Sequence, residues 1–156
     1  IKDSSQIFGD NTESLLLAAG LNEIQRLAAA LGSTHPETFT SIAGVGDLDV
    51  TCRSPHGRNR RFGRDIVNRL IIEAYPDLDQ LILHLGELPY LPEGAVAARA
   101  VHGIAAERDL HLPICEGVYR ILNRERDPVV ELERMLGDMT GSDLQQPTLD
   151  RSAPDG

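Results

Sequence analysis

Five arginines fall within a dozen positions of this 156-residue chain, and they are the residues best suited to bind an anion: Arg53, Arg58, Arg60, Arg61 and Arg64. A guanidinium group presents paired N–H donors that match the oxygens of a phosphate. A Ser-Pro-His turn ending at Gly57 precedes a predicted helix, whose first N–H groups and positive dipole would lie at the same place. The sequence therefore indicates a small anion site at Gly57 and Arg58. The alternative is a solvated, arginine-rich start of a helix.

Two acidic positions could act beside such an anion. Asp47 and Thr51 are four residues apart, so on a helix they would share one face and could hold a sugar hydroxyl or orient a catalytic lysine. Glu93, which is followed by Gly94, could contact a ribose at the start of another helix. The alternative for both acids is a capping role at a helix start, and spacing alone favours it.

Other chemistries find little support in the sequence. The five histidines are scattered without ligand spacing, and the two cysteines form no CxxC pair, so we predict no metal site. The glycines at 44 and 46 lack both the third glycine of GxGxxG and a preceding strand, so they are no dinucleotide-binding fingerprint.

The composition limits the classes of partner. A net charge of −9 argues against a nucleic-acid surface and against an anionic membrane surface. No apolar run is long enough to span a bilayer. We expect both cysteines to be reduced thiols of a cytoplasmic protein.

The pattern of apolar residues predicts six or seven helices and no strand, and hence an all-α helical bundle. Positions 17, 21, 24, 28 and 31 form one apolar face of a helix over Thr12–Leu31 that stops at Gly32, and we expect the bundle to surround it. Gly44 to Gly46 is predicted to be a loop, with Asp47 capping a short helix over 48–52. We expect one domain over 1–137, with the last helix ending at Gly137, and a disordered tail over 138–156.

Residues 43–63 read AGVGDLDVTCRSPHGRNRRFG. This string closely resembles the AGxGDLxxTC…RNRRxG signature of bacterial NAD(P)-dependent sn-glycerol-3-phosphate dehydrogenases. The GDN segment at 9–11, the PEG segment at 92–94 and PICEGVYR at 113–120 are also similar to that family. The resemblance extends over about residues 9–137.

The resemblance implies a substrate-binding C-terminal domain like that of 6-phosphogluconate-dehydrogenase-like enzymes. The family interconverts dihydroxyacetone phosphate and sn-glycerol 3-phosphate with NAD or NADP, for glycerophospholipid synthesis. Its partners would be a small phosphorylated substrate, the N-terminal dinucleotide-binding domain of the same enzyme, which holds most of the cofactor, and a second copy in a homodimer.

The resemblance also implies roles for individual residues. Asp47 would lie beside the reacting hydroxyl and a catalytic lysine. The substrate would contact Asp47, Thr51, Gly57, Arg58 and Asn59. The cofactor would contact Arg58, Leu91 and Glu93. The family usually has serine at the position of Gly57, so one substrate hydrogen bond would come from the backbone alone.

Two parts of that family's machinery are missing from these 156 residues. The catalytic lysine would precede Ile1, and there is no glycine-rich nucleotide loop. Because the chain also opens without methionine, we interpret it as cut from something longer and expect it to be inactive alone. The alternative function is a free-standing, non-catalytic helical interaction module derived from the same family.

Overall fold

The computed structural model describes residues 10–68, 71 and 73–143. This part of the chain contains α-helices and no strand, which confirms the all-α prediction. The helices are α1 Asp10–Ala30, α2 Ile42–Arg53, α3 Arg58–Val67, α4 Leu78–Leu83, α5 Glu93–Arg108, α6 Pro113–Leu122 and α7 Pro128–Asp143. Short 3-10 helices cover Pro36–Thr40 and Leu85–Glu87. Among the described residues, no helix has the length and apolar character needed to cross a bilayer.

Helix α1 ends where the sequence predicted. Gly32 has a positive φ of 91°, which glycine adopts without steric cost. Its N–H donates to the carbonyl of Ala29, and the N–H of Ser33 donates to that of Ala28. This pair of bonds is a Schellman motif, which satisfies carbonyl groups that the end of a helix would otherwise leave unpaired.

The main hydrophobic core lies between α3, α4, α5 and α6. Its buried residues are Phe62, Ile66, Ile71, Leu78, Leu81, Leu85, Ala95, Ala98 and Leu122. Helix α1 contributes Leu21 as its buried apolar residue. It packs against α2, α6, α7 and the 3-10 helix Pro36–Thr40, in agreement with the expectation that the bundle surrounds α1. Of the predicted apolar face, Leu21 is buried and Leu31 is 54% exposed, so the spacing identified the inner face of α1 except at its C-terminal end.

The glycines at 44 and 46 are part of a helix and not of a loop, which corrects the sequence prediction. Helix α2 begins at Ile42 after Ser41, and Gly44 packs against the preceding 3-10 helix. A Cβ atom at Gly44 would come within 2.2 Å of the backbone oxygen of Phe39. Gly44 is therefore explained by close backbone packing. Asp47 is the sixth residue of α2, so the capping alternative for Asp47 is wrong.

Helix α7 continues beyond its predicted end. Asp127 accepts hydrogen bonds from the N–H groups of Val129 and Val130, which confirms the predicted cap. The helix then passes through Gly137 and ends at Asp143. An ion pair between Arg134 and Asp138 spans the glycine, and a glycine inside a helix costs only about 1 kcal/mol relative to alanine. The rest of the predicted tail, 144–156, lies outside the described residues.

Candidate functional site

Helix α3 is anchored by its apolar side and presents its first residues to solvent. Phe62 and Ile66 are buried in the core, whereas Arg58 and Asn59 are exposed at the start of the helix. Gly57 is the N-cap and makes no side-chain cap bond. The first N–H groups of α3 therefore lie at the same end of the helix as the Arg58 guanidinium.

Arg60 has a structural partner. Its Nη1 donates to the backbone oxygens of Cys52, at 3.2 Å, and of Arg53, at 2.8 Å. These carbonyl groups belong to the last turn of α2, where helical partners are lacking. Arg60 thus joins the end of α2 to the start of α3.

Arg61 is also held by other residues. Its guanidinium carbon lies 4.6 Å from the centre of the Tyr90 ring, and its Nε is 3.8 Å from the Asp65 carboxylate. The Tyr90 hydroxyl donates to the same carboxylate at 2.6 Å. Burial, and then the hydrogen bond to Asp65, raise the pKa of Tyr90 above its usual value. Arg61 therefore belongs to a cluster that fixes the loop before α5.

Arg58 is more available than these two arginines. Its side chain is 57% exposed and faces Glu93, with 3.6 Å between Nη2 and Oε1. That distance allows an ion pair but exceeds an ordinary hydrogen bond. Because both side chains are solvated, the pair is weak. An anionic ligand could therefore compete with Glu93 for Arg58.

Asn59 connects the beginnings of α3 and α5. Its Oδ1 accepts a hydrogen bond from the N–H of Gly94 at 3.1 Å. The contact between Arg58 and Glu93 lies beside it. The structure thus brings Arg58 and Asn59 together with Glu93, residues to which the resemblance assigned contacts with substrate and with cofactor.

The α2 side of the site is joined to α3 through the backbone. A Cβ atom at Gly57 would lie 3.3 Å from the carbonyl oxygen of Thr51, so the turn approaches the last part of α2. Asp47 and Thr51 are four residues apart on α2 and are both exposed. Within the described residues, no ion pair joins Asp47 to Arg58. That these two side chains contact the same substrate stays a prediction.

Leu91 lies in the loop just before α5. Its side chain is about half exposed, and the next residue, Pro92, is buried. Leu91 and Glu93 therefore offer an apolar and an acidic side chain on the solvent side of the same short segment.

Glu23 is a buried polar residue that the sequence analysis missed. Its carboxylate accepts hydrogen bonds from the N–H groups of Ile114, at 2.6 Å, and of Cys115, at 3.0 Å. It caps α6, whose own N-cap residue makes no side-chain bond. Burial and the nearby Glu23 raise the pKa of Cys115 to about 12, so its thiol is protonated at neutral pH.

Comparison with known proteins identifies the family. A family model described as the NAD-dependent glycerol-3-phosphate dehydrogenase C-terminus matches residues 3–133. Over 133 residues, 85% of this chain, the sequence is 59% identical to a glycerol-3-phosphate dehydrogenase (NAD(P)+) of Treponema denticola and covers 37% of that protein. It is 56% identical over 135 residues to the protein of the same name from Treponema pallidum, covering 86% of this chain and 38% of that protein.

A more distant relative agrees with these two. A glycerol-3-phosphate dehydrogenase (NAD(P)+) of Lactobacillus helveticus is 35% identical over 132 residues, covering 85% of this chain and 36% of that protein. The chain therefore spans little more than a third of the length of the curated relatives it matches. The matched family model covers most of the described helices, including the segment with the arginine cluster. The chain belongs to the family of NAD-dependent glycerol-3-phosphate dehydrogenase C-terminal domains.

Proposed function

We propose that this chain is the substrate-binding part of an enzyme that interconverts dihydroxyacetone phosphate and sn-glycerol 3-phosphate. The availability of Arg58 carries the proposal. Arg60 and Arg61 are held by backbone carbonyls and by Tyr90, whereas Arg58 is exposed beside Asn59 at the start of α3. A doubly charged phosphate is the ligand that this combination of guanidinium, amide and helix N-terminus suits best.

The two ends of the substrate would meet different elements. Arg58, with the backbone at Gly57, would hold the phosphate, and Asn59 would donate to an oxygen of the substrate. Asp47 and Thr51 on α2 would lie at the hydroxyl end, where Asp47 would orient the reacting group and a lysine from elsewhere in the enzyme. Holding both ends fixes the reacting carbon, which contributes to rate by reducing the freedom lost on reaching the transition state.

We propose that NAD or NADP contacts this chain at Arg58, Leu91 and Glu93. The exposed Leu91 could cover an apolar part of the nucleotide, and the Glu93 carboxylate could accept from a ribose hydroxyl. The cofactor supplies the hydride when bound. The coverage of the relatives, 37% in the first comparison, supports a dinucleotide-binding domain elsewhere in the same enzyme as the main cofactor site.

The rival function, a non-catalytic helical interaction module, is not favoured. The site residues predicted from the resemblance are present, and a relative at 59% identity is named as a dehydrogenase. Under our proposal, a polypeptide of these 156 residues does not reduce dihydroxyacetone phosphate with NADH, because neither a glycine-rich nucleotide loop nor the lysine is among them. Steady NADH consumption by this polypeptide would contradict that expectation.

Calorimetric titration with sn-glycerol 3-phosphate tests the proposed site. We expect Arg58→Ala to weaken binding at least about tenfold, since it removes a charge-assisted contact to phosphate. Arg64→Ala is the matched control. It removes the same charge from α3 about 9 Å further along the helix axis, and we expect less than about a twofold change.

Glycerol serves as the ligand control, and it should not bind measurably because it lacks the phosphate. Equal losses in Arg58→Ala and Arg64→Ala would indicate a diffuse basic patch in place of a site. Absence of binding to the folded native protein would contradict the proposed function.

A further inference from the structure

We propose that Gly94 is a positioning residue for the substrate and acts by fixing the side-chain amide of Asn59. The inference rests on the proposed function, because it assigns the free end of that amide to the substrate. It concerns the contact between α3 and α5, where Gly94 and Asn59 meet.

The direction of the amide follows from the partner at Gly94. A backbone N–H can only donate, so the Asn59 oxygen must face it, and the observed acceptor is Oδ1 at 3.1 Å. An asparagine side chain has one carbonyl oxygen and one NH₂ group. The Nδ2 group, which would lie 3.7 Å from a Cβ atom at Gly94, takes no part in this bond and is a pure donor. The oxygens of a phosphate or of a sugar hydroxyl accept such a donor.

The hydrogen bond also meets a need of α5. Gly94 is the second residue of this helix, and the first N–H groups of a helix have no partner within it. The N-cap of α5, Pro92, makes no side-chain cap bond. Asn59, 35 residues earlier in the chain, takes that role. The orientation of Asn59 and the start of α5 consequently depend on each other.

A side chain at position 94 would crowd this contact. A Cβ atom there would lie 3.0 Å from Oδ1 of Asn59 and 3.3 Å from Cγ. The backbone has little room to move away, because Pro92 and Ala95 on either side are buried and Ala95 is 0% exposed. The asparagine side chain is exposed and would move instead. An alanine at 94 should therefore turn or displace the Asn59 amide while the helix remains.

The first experiment measures the amide directly, without any ligand. In ¹⁵N NMR spectra, the Asn59 side-chain NH₂ pair is identified by its loss in Asn59→Ala. We expect this pair to be ordered in the native protein and to shift and become more mobile in Gly94→Ala. Gly103→Ala is the matched control on α5, where a Cβ atom would meet nothing within 4 Å, and it should leave the pair unchanged. An unchanged pair in Gly94→Ala would overturn the inference.

The second experiment is a double-mutant cycle on the affinity for sn-glycerol 3-phosphate. We expect Gly94→Ala to weaken binding about tenfold, which corresponds to about 1.4 kcal/mol, with the far-UV circular dichroism unchanged. In the Asn59→Ala background the same substitution should change affinity less than about twofold, because the group through which it acts has gone. A merely structural role would give equal losses in both backgrounds, and additivity would therefore overturn the inference.

The NMR experiment and the binding experiment together separate this inference from the proposed function. If the native protein does not bind sn-glycerol 3-phosphate, the proposed function fails and the substrate role of Gly94 fails with it, whatever the spectra show. If the native protein binds and Gly94→Ala binds equally well, the proposed function stands and the positioning role is wrong.

Discussion

Helix α2 and the pair α6–α7 are packed in opposite ways. No residue of α2 is buried, and Ile42 at its start is 95% exposed. By contrast, α6 and α7 enclose Glu131, which is 0% exposed. The residues proposed to meet the hydroxyl end of the substrate lie on α2. The difference indicates that the stabilising contacts are concentrated at the α6–α7 interface. On α2, by contrast, residues such as Asp47 can be selected for function.

The interface between α6 and α7 combines charge pairing with close packing. Glu131 accepts hydrogen bonds from Arg134, at 2.6 Å for Nη2, and also pairs with Arg120 of α6 at 3.5 Å. A Cβ atom at Gly117 of α6 would lie 2.2 Å from the sulfur of Met135. The two helices thus approach as closely as a glycine allows, beside a buried carboxylate whose charge is compensated.

Helix α2 is held in place mainly through backbone groups. Gly44 lies against the carbonyl of Phe39, and Arg60 binds the carbonyls of Cys52 and Arg53 at the other end. Such contacts fix the position of a helix without burying its side chains. The comparison therefore predicts that side-chain substitutions have large effects on stability at the α6–α7 interface and small ones on α2.

The largest effect is expected from Glu131→Ala. Removing the buried carboxylate leaves Arg120 and Arg134 without their shared partner, although each keeps a second acid, Glu116 or Asp138. We expect the free energy of unfolding to fall by about 3 kcal/mol, at the low end for breaking a buried pair. Urea unfolding followed by circular dichroism measures it.

The control for this substitution is Glu133→Ala. Glu133 is an exposed acid on the same helix, so the change in helix propensity is the same while no buried carboxylate is lost. It should change stability by less than about 0.5 kcal/mol. Similar losses in the two variants would contradict the distinction between the two regions.

A smaller effect is expected when the pH is lowered. Hydrogen bonds from Arg134 lower the pKa of Glu131 below its usual value, against the opposing effect of burial. A group with a lowered folded pKa contributes stability that is fully present above its unfolded pKa, near 4.5. This contribution is lost as the pH falls through the lower, folded value.

Comparing the native protein with Glu131→Gln isolates this contribution. The difference in unfolding free energy should be largest at pH 6 and should shrink as the pH falls below about 4.5. Other carboxylates titrate in both proteins and largely cancel in the difference. A gap that stays constant down to pH 3.5 would mean that the charge of Glu131 does not contribute.

Local signals were sufficient to predict many helix ends from the sequence. Gly32 and Asp127 were correctly identified because capping and left-handed glycines depend on near neighbours. Gly44 was misinterpreted because the sequence does not distinguish a glycine that permits close packing of a helix from a glycine in a loop. Only the position of the Phe39 carbonyl distinguishes the two.

Contacts between distant segments could not be predicted in this way. Asn59 meets Gly94 across 35 residues, and Glu23 meets the start of α6 across about 91 residues. The sequence marked Asn59 and Gly94 as members of two separate motifs, and nothing in either motif specifies the other as its partner. The residues of the candidate site could thus be predicted from the sequence. The hydrogen bond between Asn59 and Gly94 could be found only from the three-dimensional structure.

The smallest effect is expected from Val50→Ser on α2. Val50 is 70% exposed, so little apolar surface returns to water on unfolding, and valine and serine have similar helix propensities. We expect a change in unfolding free energy below about 0.5 kcal/mol. Val101→Ser is the matched comparison. Val101 on α5 is half-buried beside α6 and lines a small cavity with Leu112, and the same exchange there should cost more than about 1 kcal/mol.

The result on Val50 would also show whether α2 is open to solvent in solution. A loss above about 1 kcal/mol would mean that Val50 is covered by something in the folded protein under the conditions of the experiment. If a second copy of the chain covers it, the unfolding midpoint of the native protein must rise with protein concentration, because association stabilises only the folded state. The midpoint of Val50→Ser would then depend less on concentration. A small loss together with a midpoint independent of concentration would support the structure of α2, a helix held largely by its backbone with most of its side chains exposed.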